Sequence, residues 1–175
     1  LDTVRFGVTT HRGCYGGCSF CAIAVHQGRR IVSRSMESIE RDVSRFARHP
    51  KSKGIVSDVG GPTANMYGFD CAKKAKCGAC ADRQCLFPAK CPSLKVDHSP
   101  QLKLLSRLRS VKGVRKIFVA SGIRPDLVAA DKGCGDAYIK ALAKDHVSGQ
   151  LKLAPEHAVS AVLECMGKPS VKDML

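Results

Sequence analysis

Tryptophan is absent from this chain of 175 residues, and three tyrosines and six phenylalanines make up its remaining aromatics. Proteins that grip single-stranded nucleic acid stack bases on aromatic side chains, so no stacking platform is visible. Acidic residues are also few, 15 against 29 basic, for a formal net charge of +14. No apolar run approaches the ~18 residues of a membrane-spanning helix, and no charged-then-apolar leader opens the chain. The reading is therefore no membrane partner and a cytoplasmic location. The chain starts at Leu1 and ends at Leu175, inside what reads as a helix opening at Ser170, so both ends read as cuts.

Cysteine, by contrast, is abundant, with ten in all. In a cytosolic context clustered cysteines favour metal over disulfides. Cys14, Cys18 and Cys21 fall as C-x3-C-x2-C in the run GCYGGCSFC, with Gly13, Gly16 and Gly17 able to bend the chain around them. Three thiolates this close can wrap one soft metal centre. An iron–sulfur cube takes four cysteines as a rule, so three leave one iron open. An open coordination position is what separates reactive centres from sealed structural ones. The competing readings are a zinc knot on Cys18 and Cys21, which leaves Cys14 idle, and unrelated buried thiols.

Elsewhere the pattern alternates. Val4 to Thr9 reads as a strand leading into the cysteine loop. Ser35 caps a helix whose Met36, Ile39, Val43 and Phe46 recur at helical steps. Ile55 to Val59 is a strand ending at Gly60-Gly61-Pro62, followed by a long loop with five cysteines. Ser99-Pro100 opens a helix with Leu102, Leu105, Leu108 and Val111 inward. Val114 to Ala120 and Gln150 to Ala154 read as strands, and Asp136 to His146 and His157 to Met166 as helices. Four strands alternating with helices predict parallel βαβ units, an α/β fold. The cysteine loop, Gly60-Gly61, Ser121-Gly122 and Pro155-Glu156-His157 all follow strand ends, the rim where such folds place their sites.

The cysteine loop, with Phe20 just before its last cysteine, resembles the signature loop of radical SAM enzymes. The stretches DVGGPTANMYG, CLFPAKCPSL, DHSP, ASGIRPDL and LKLAPEH together resemble the YgiQ-like branch of that superfamily, from about residue 4 to residue 168. The resemblance implies a partial (βα)6 barrel, cut after about four βα units, over residues 1–175, with a Cys-rich insertion at 62–98. It implies a 4Fe–4S cluster on Cys14, Cys18 and Cys21, whose open iron chelates S-adenosylmethionine. One electron, from a donor such as flavodoxin or ferredoxin, would cleave SAM to a 5′-deoxyadenosyl radical that abstracts hydrogen from an unassigned substrate. The chemistry belongs to the cofactor, and the protein supplies geometry and exclusion of water. Phe20 would pack beside the cube or the adenine, and Gly60 and Gly61 would touch the SAM amino group. The family's acidic residue after that pair is here Pro62. Ser121 and Arg124 would meet the SAM carboxylate or ribose, and Glu156 with His157 the ribose or substrate. Their bland counterparts are a strand-to-loop turn, an Arg124–Asp126 pair at a surface turn, and a helix cap.

Four further cysteines, Cys71-x8-Cys80-x4-Cys85-x5-Cys91, match a spacing associated with the same branch and could hold an auxiliary iron–sulfur cluster or a zinc ion. Cys77 is the odd one, and Cys134 and Cys165 read as isolated structural thiols. His11, His26, His49, His98 and His146 read as surface or loop residues, with His11 near enough to Cys14 to line the site. Two stretches concentrate positive charge: Cys71 to Lys95, with six basic residues against Asp82, and Lys103 to Lys116, with six and no acid. RNA is one substrate class such a surface would suit. The alternative function is a zinc protein without catalysis, joining Cys18 and Cys21 to Cys77 and Cys80 and binding nucleic acid through its charge. Its gap between pairs far exceeds the ~15–20 residues of familiar zinc modules.

Overall fold

A computed structural model describes residues 5–173; Val4, the start of the first expected strand, lies outside them. Three short parallel strands form the centre. The first, β1 (Gly7–Thr9), runs into β2 (His11–Arg12), and later come β3 (Val32–Ser33), β4 (Ile55–Val56), β5 (Asp58–Gly60) and β6 (Lys116–Ile117). β1 pairs in parallel with β5, and β4 in parallel with β6. β4 and β5 are one strand broken at Ser57, whose N–H donates to Phe6 on one side while the Val59 N–H donates to Phe118 on the other. The order is thus β1, β4–β5, β6, and no sheet among the described residues closes on itself.

Helices cover this sheet as the apolar spacing predicts. The Ser35 side chain accepts a hydrogen bond from the Ser38 N–H and starts α2 (Met36–Arg48), after a short α1 (Ile23–Gln27) in the cysteine loop. α2 buries Ile39 and Val43 completely, worth roughly 1.5–3 kcal/mol each. A short α3 (Ala72–Cys77) lies in the Cys-rich segment. α4 (Ser99–Arg109) carries Pro100 in its first turn and buries Leu104, Leu105 and Leu108, while Leu102 and Val111 are only partly covered. Leu104 therefore replaces Leu102 at the centre of the expected stripe. α5 (Pro125–Ala130) follows, and α6 (Gly135–Ala141) widens into a π turn over Leu142–His146.

The expected strand at Gln150 to Ala154 is reduced to a single parallel bridge, Leu153 with Ile123. Gly149 and Pro155 bound it, and only its Ile123 side finds a ladder partner among the described residues. The helix expected from His157 is shorter as well: α7 spans Ser160–Cys165. Histidine placement also differs from the sequence reading. His11, His98 and His146 are buried, because each ring finds a polar partner inside: Thr10, Asp131 and the Ile117 carbonyl respectively.

The Cys-rich segment has a core of its own. Leu86, Leu94, Cys71 and Cys85 pack with Tyr15, Ile31, Met66, Phe69 and Leu127 in a second apolar cluster beside the main one. The insertion and the cysteine loop thus share one interior.

Candidate active site and a second thiol cluster

The cysteine loop is an excursion tied at its base. β2 and β3 pair antiparallel, His11 with Ser33 and Arg12 with Val32, so residues 13–31 leave and return at one point. Gly13 sits at φ +85°, and a Cβ there would lie 1.9 Å from the Arg30 carbonyl oxygen. Only glycine allows the loop to close so tightly. Cys14 is buried, whereas Cys18 and Cys21 are partly exposed. Above Gly16, one point (the place a Cβ would occupy) is 3.4 Å from Cys14 Sγ, 3.5 Å from Cys18 Sγ and 3.0 Å from Arg124 Nη1. Gly16 therefore leaves space that two thiols and a guanidinium share. Among the described residues no three Cys, His, Asp or Glu side chains converge as a ready-made metal cage, so Cys21 does not join the other two at one centre.

The electrostatics of this spot are mixed. Burial pushes the Cys14 thiol up, against hydrogen bonds from Thr63 and the Gly16 N–H and the charge of Arg124. Arg124 is nearly inaccessible; Nη1 lies 3.7 Å from Cys18 Sγ, and Nε and Nη2 donate to Asp126 at 3.0 and 2.7 Å. The pair with Asp126 is thus present, but in the interior rather than at a surface turn.

Arg124 is held by a buried relay that sequence reading missed. The Asn65 amide donates to the Arg124 carbonyl at 3.0 Å, and its oxygen accepts the Arg124 N–H at 2.9 Å. The same amide nitrogen faces His98 Nε2 at 3.3 Å, and His98 Nδ1 lies 2.7 Å from Asp131 Oδ2. The two backbone contacts fix the orientation of Asn65, so His98 Nε2 must accept and Nδ1 must carry the proton given to Asp131. Burial first of all lowers the His98 pKa, against the Asp131 contacts that raise it, consistent with this neutral tautomer. The signal lay in the DHSP and TAN stretches, but neither names its partner.

Gly60, Gly61 and Ser121 meet at one polar cleft of about 540 Å³ at the strand ends, with Arg12, Asp58 and Lys152 also on its wall. Asp58 accepts from the Ala120 and Ser121 N–H groups at 2.8 and 3.1 Å and from the Ser121 hydroxyl. Both glycines face tight neighbours. A Cβ on Gly60 would sit 2.3 Å from Ser121 Oγ, and one on Gly61 2.5 Å from His11 Cε1. The His11 pKa is lowered to about 4 by burial, against a Thr63 backbone contact that raises it, and among the described residues its Nε2 meets no partner of hydrogen-bond geometry. Phe20 is 54 % exposed and does not line this cleft.

Glu156 and His157 stand apart from it, on an open groove with Pro125, Leu153 and Pro155. Glu156 takes a left-handed backbone, φ 73°, and pairs with Lys168 at 3.2 Å. α7 begins at Ser160, so neither residue caps it.

The second cysteine set is brought together. Cys71, Cys80, Cys85 and Cys91 line one small cavity of about 30 Å³, with Lys74 and Arg83 in its wall. Cys77 is exposed and does not contribute. A hydrogen bond from the Ser93 backbone, then its side chain and Arg83, lowers the Cys91 pKa despite some desolvation. The pairing of Cys18 and Cys21 with Cys77 and Cys80 gains no support from this arrangement. In the basic stretch on α4, Arg107 pairs with Glu37 and Glu40 and Arg109 with Asp145, which offsets part of its charge.

No protein-family model matches the chain. It is similar to proteins named UPF0313 protein: 56 % identical over 168 residues to one from Fusobacterium nucleatum, covering 96 % of this chain and 30 % of that protein. Another, from Methanocella arvoryzae, is 49 % identical over 172 residues, 98 % of this chain and 28 % of the relative. One from Methanosarcina mazei is 50 % identical over 169 residues, 97 % and 26 % respectively. The chain thus spans less than a third of the length of these curated relatives. No helix among the described residues is long and apolar enough to cross a membrane.

Proposed function

We propose that this chain is the cluster-binding part of a radical SAM enzyme of the UPF0313 kind, built on a partial (βα)6 barrel. The observation that carries the reading is the loop at residues 13–31. It is pinned at its base and brings Cys14, Cys18 and the Arg124 guanidinium around one point over Gly16. The donor set fits the group in chemistry: three thiols within eight residues and no fourth beside them. The relatives' shared name assigns no chemistry, so the weight falls on this loop.

When bound there, a 4Fe–4S cluster with an open iron would bind SAM and, once reduced by a flavodoxin or ferredoxin, cleave it to a 5′-deoxyadenosyl radical. Cys14, Cys18 and Cys21 would be the ligands. Cys14 must lose its proton to bind, and Arg124 favours the thiolate it faces. The polar cleft bounded by Gly60, Gly61 and Ser121 would take the polar end of SAM. Ser121 and His11 can pack against the strand end there because neither glycine carries a side chain. Lys152 and Arg12 on the same wall suit a carboxylate.

The test is iron and sulfide content after anaerobic reconstitution. Wild-type chain should hold about four irons in the loop, and Cys18→Ala should lose them while keeping its fold by circular dichroism. Iron content unchanged in that variant would remove the loop from the cluster.

A further inference from the structure

We propose that Cys71, Cys80, Cys85 and Cys91 hold a single zinc ion in a closed, structural site, and not a second iron–sulfur cluster. The argument starts from size. The cavity these four share measures about 30 Å³, room for one or two water-sized bodies. A single ion with Zn–S bonds of about 2.3 Å fits that space. A cube of four irons and four sulfides does not fit without prising the segment apart. The inner wall resists such opening, while Cys80 and Cys91 on the outer side are partly exposed. Cys71 and Cys85 are buried beside Leu86 and Leu94, and the Cys91 N–H donates to the Cys85 carbonyl at 2.8 Å. The thiols line the cavity without yet converging on one centre, so binding requires them to move inward.

Charge suits a tetrathiolate metal centre here. Four thiolates on one divalent cation leave a net charge of −2, which needs cations close by. Lys74 supplies one from an almost fully buried position, with its ammonium donating to the Arg29 carbonyl and lying 5.2 Å from the Tyr15 ring centre. Lys73 and Arg83 stand in the same wall. A buried lysine is costly without an anion, and the tetrathiolate is that anion. Four sulfurs also complete the coordination of one zinc with no open position; a four-iron cube would take the same four ligands, so the size of the cavity is what separates the two.

The site would act on the cysteine loop through contact. Arg29, within that loop, donates to the Cys80 carbonyl and accepts from Lys74. The Gln84 side chain lies over Gly17, 3.0 Å from where a Cβ would be. An ion that fixes Cys80 and Cys85 therefore holds a buttress against Gly17 and Arg29.

The test uses the chain carrying Cys14→Ala, Cys18→Ala and Cys21→Ala, so that the first loop binds nothing and the cluster reading is not involved. Purified from medium containing both zinc and iron, it should hold one zinc per chain. Cobalt substitution should give the charge-transfer and ligand-field bands of a tetrahedral thiolate site. A further Cys85→Ala should abolish both, and Cys77→Ala should change neither. About four irons with sulfide in the triple variant would overturn the proposal. So would a triple variant that is folded by circular dichroism yet holds no metal, or an equal loss of zinc in Cys77→Ala.

Discussion

The two thiol groups are neighbours in one interior, yet they are built in opposite ways. At residues 14–21 two of three cysteines are partly exposed, an arginine stands among them, and a large polar cleft opens at the nearby strand ends. At residues 71–91 four cysteines, two buried and two partly exposed, line a cavity of about 30 Å³ at the edge of an apolar cluster, with Lys73, Lys74 and Arg83 in its wall. The first arrangement leaves room for a ligand beyond the protein's own. The second leaves room for little more than a single ion. The contrast is what the two proposals rest on, a reactive centre at the first group and a structural ion at the second, and spacing alone does not draw that line. The difference lies in the volume beside the thiols, about 540 Å³ at the strand ends against about 30 Å³ among the second set.

The contrast predicts where damage is felt. The largest effect on stability belongs to the closed region: Cys85→Ala should lower stability by roughly 4 kcal/mol through loss of the proposed ion, about 10 °C in Tm for a chain of this size. Cys18→Ala should barely move the melting curve. Equal losses from the two variants would dissolve the distinction.

Acid should test the packing beneath Gly61. His11 is buried with its pKa lowered to about 4 by desolvation, below the ordinary value near 6.5. Between those two values the unfolded chain binds the extra proton, so stability is complete above about pH 6.5 and falls as pH drops toward 4. The slope amounts to on the order of 3 kcal/mol over that window. His98 and His146, also lowered by burial, act in the same direction. Denaturation midpoints measured from pH 7 to pH 4.5 should trace this loss, and His11→Gln should remove the His11 share of it. A slope that His11→Gln leaves unchanged would mean that the His11 ring reaches water.

A smaller effect is expected from Gly61→Ala. Its Cβ would meet the His11 ring at 2.5 Å, an overpacking worth about 2 kcal/mol. Thermal melting checks it; a neutral result would show that the ring has space to withdraw, and that the glycine serves the cleft alone.

Much of the frame was legible in the sequence because it depends on local chemistry. Ser35 with Met36, Ile39 and Val43, and Pro100 with Leu105 and Leu108, carry helix starts and apolar periodicity within a few residues. Long-range partners were not legible. Nothing near His98 announces Asp131 or Asn65, so a buried relay read as a loop histidine. Gln150 to Ala154 has strand-like spacing, but a strand needs a ladder of partners, and only Ile123 supplies one. At the site, the triple-cysteine spacing stands out by itself. The occupied fork of Arg124 and the small volume among Cys71, Cys80, Cys85 and Cys91 are facts of packing, which spacing does not encode.

Electron paramagnetic resonance of the anaerobically reconstituted, reduced chain, with and without SAM, tests the central claim most directly. The account predicts a 4Fe–4S+ signal whose shape shifts when SAM is added, because an open iron takes it as ligand. A reduced cluster whose signal ignores saturating SAM, or a folded and reconstituted chain with no such signal, would contradict it.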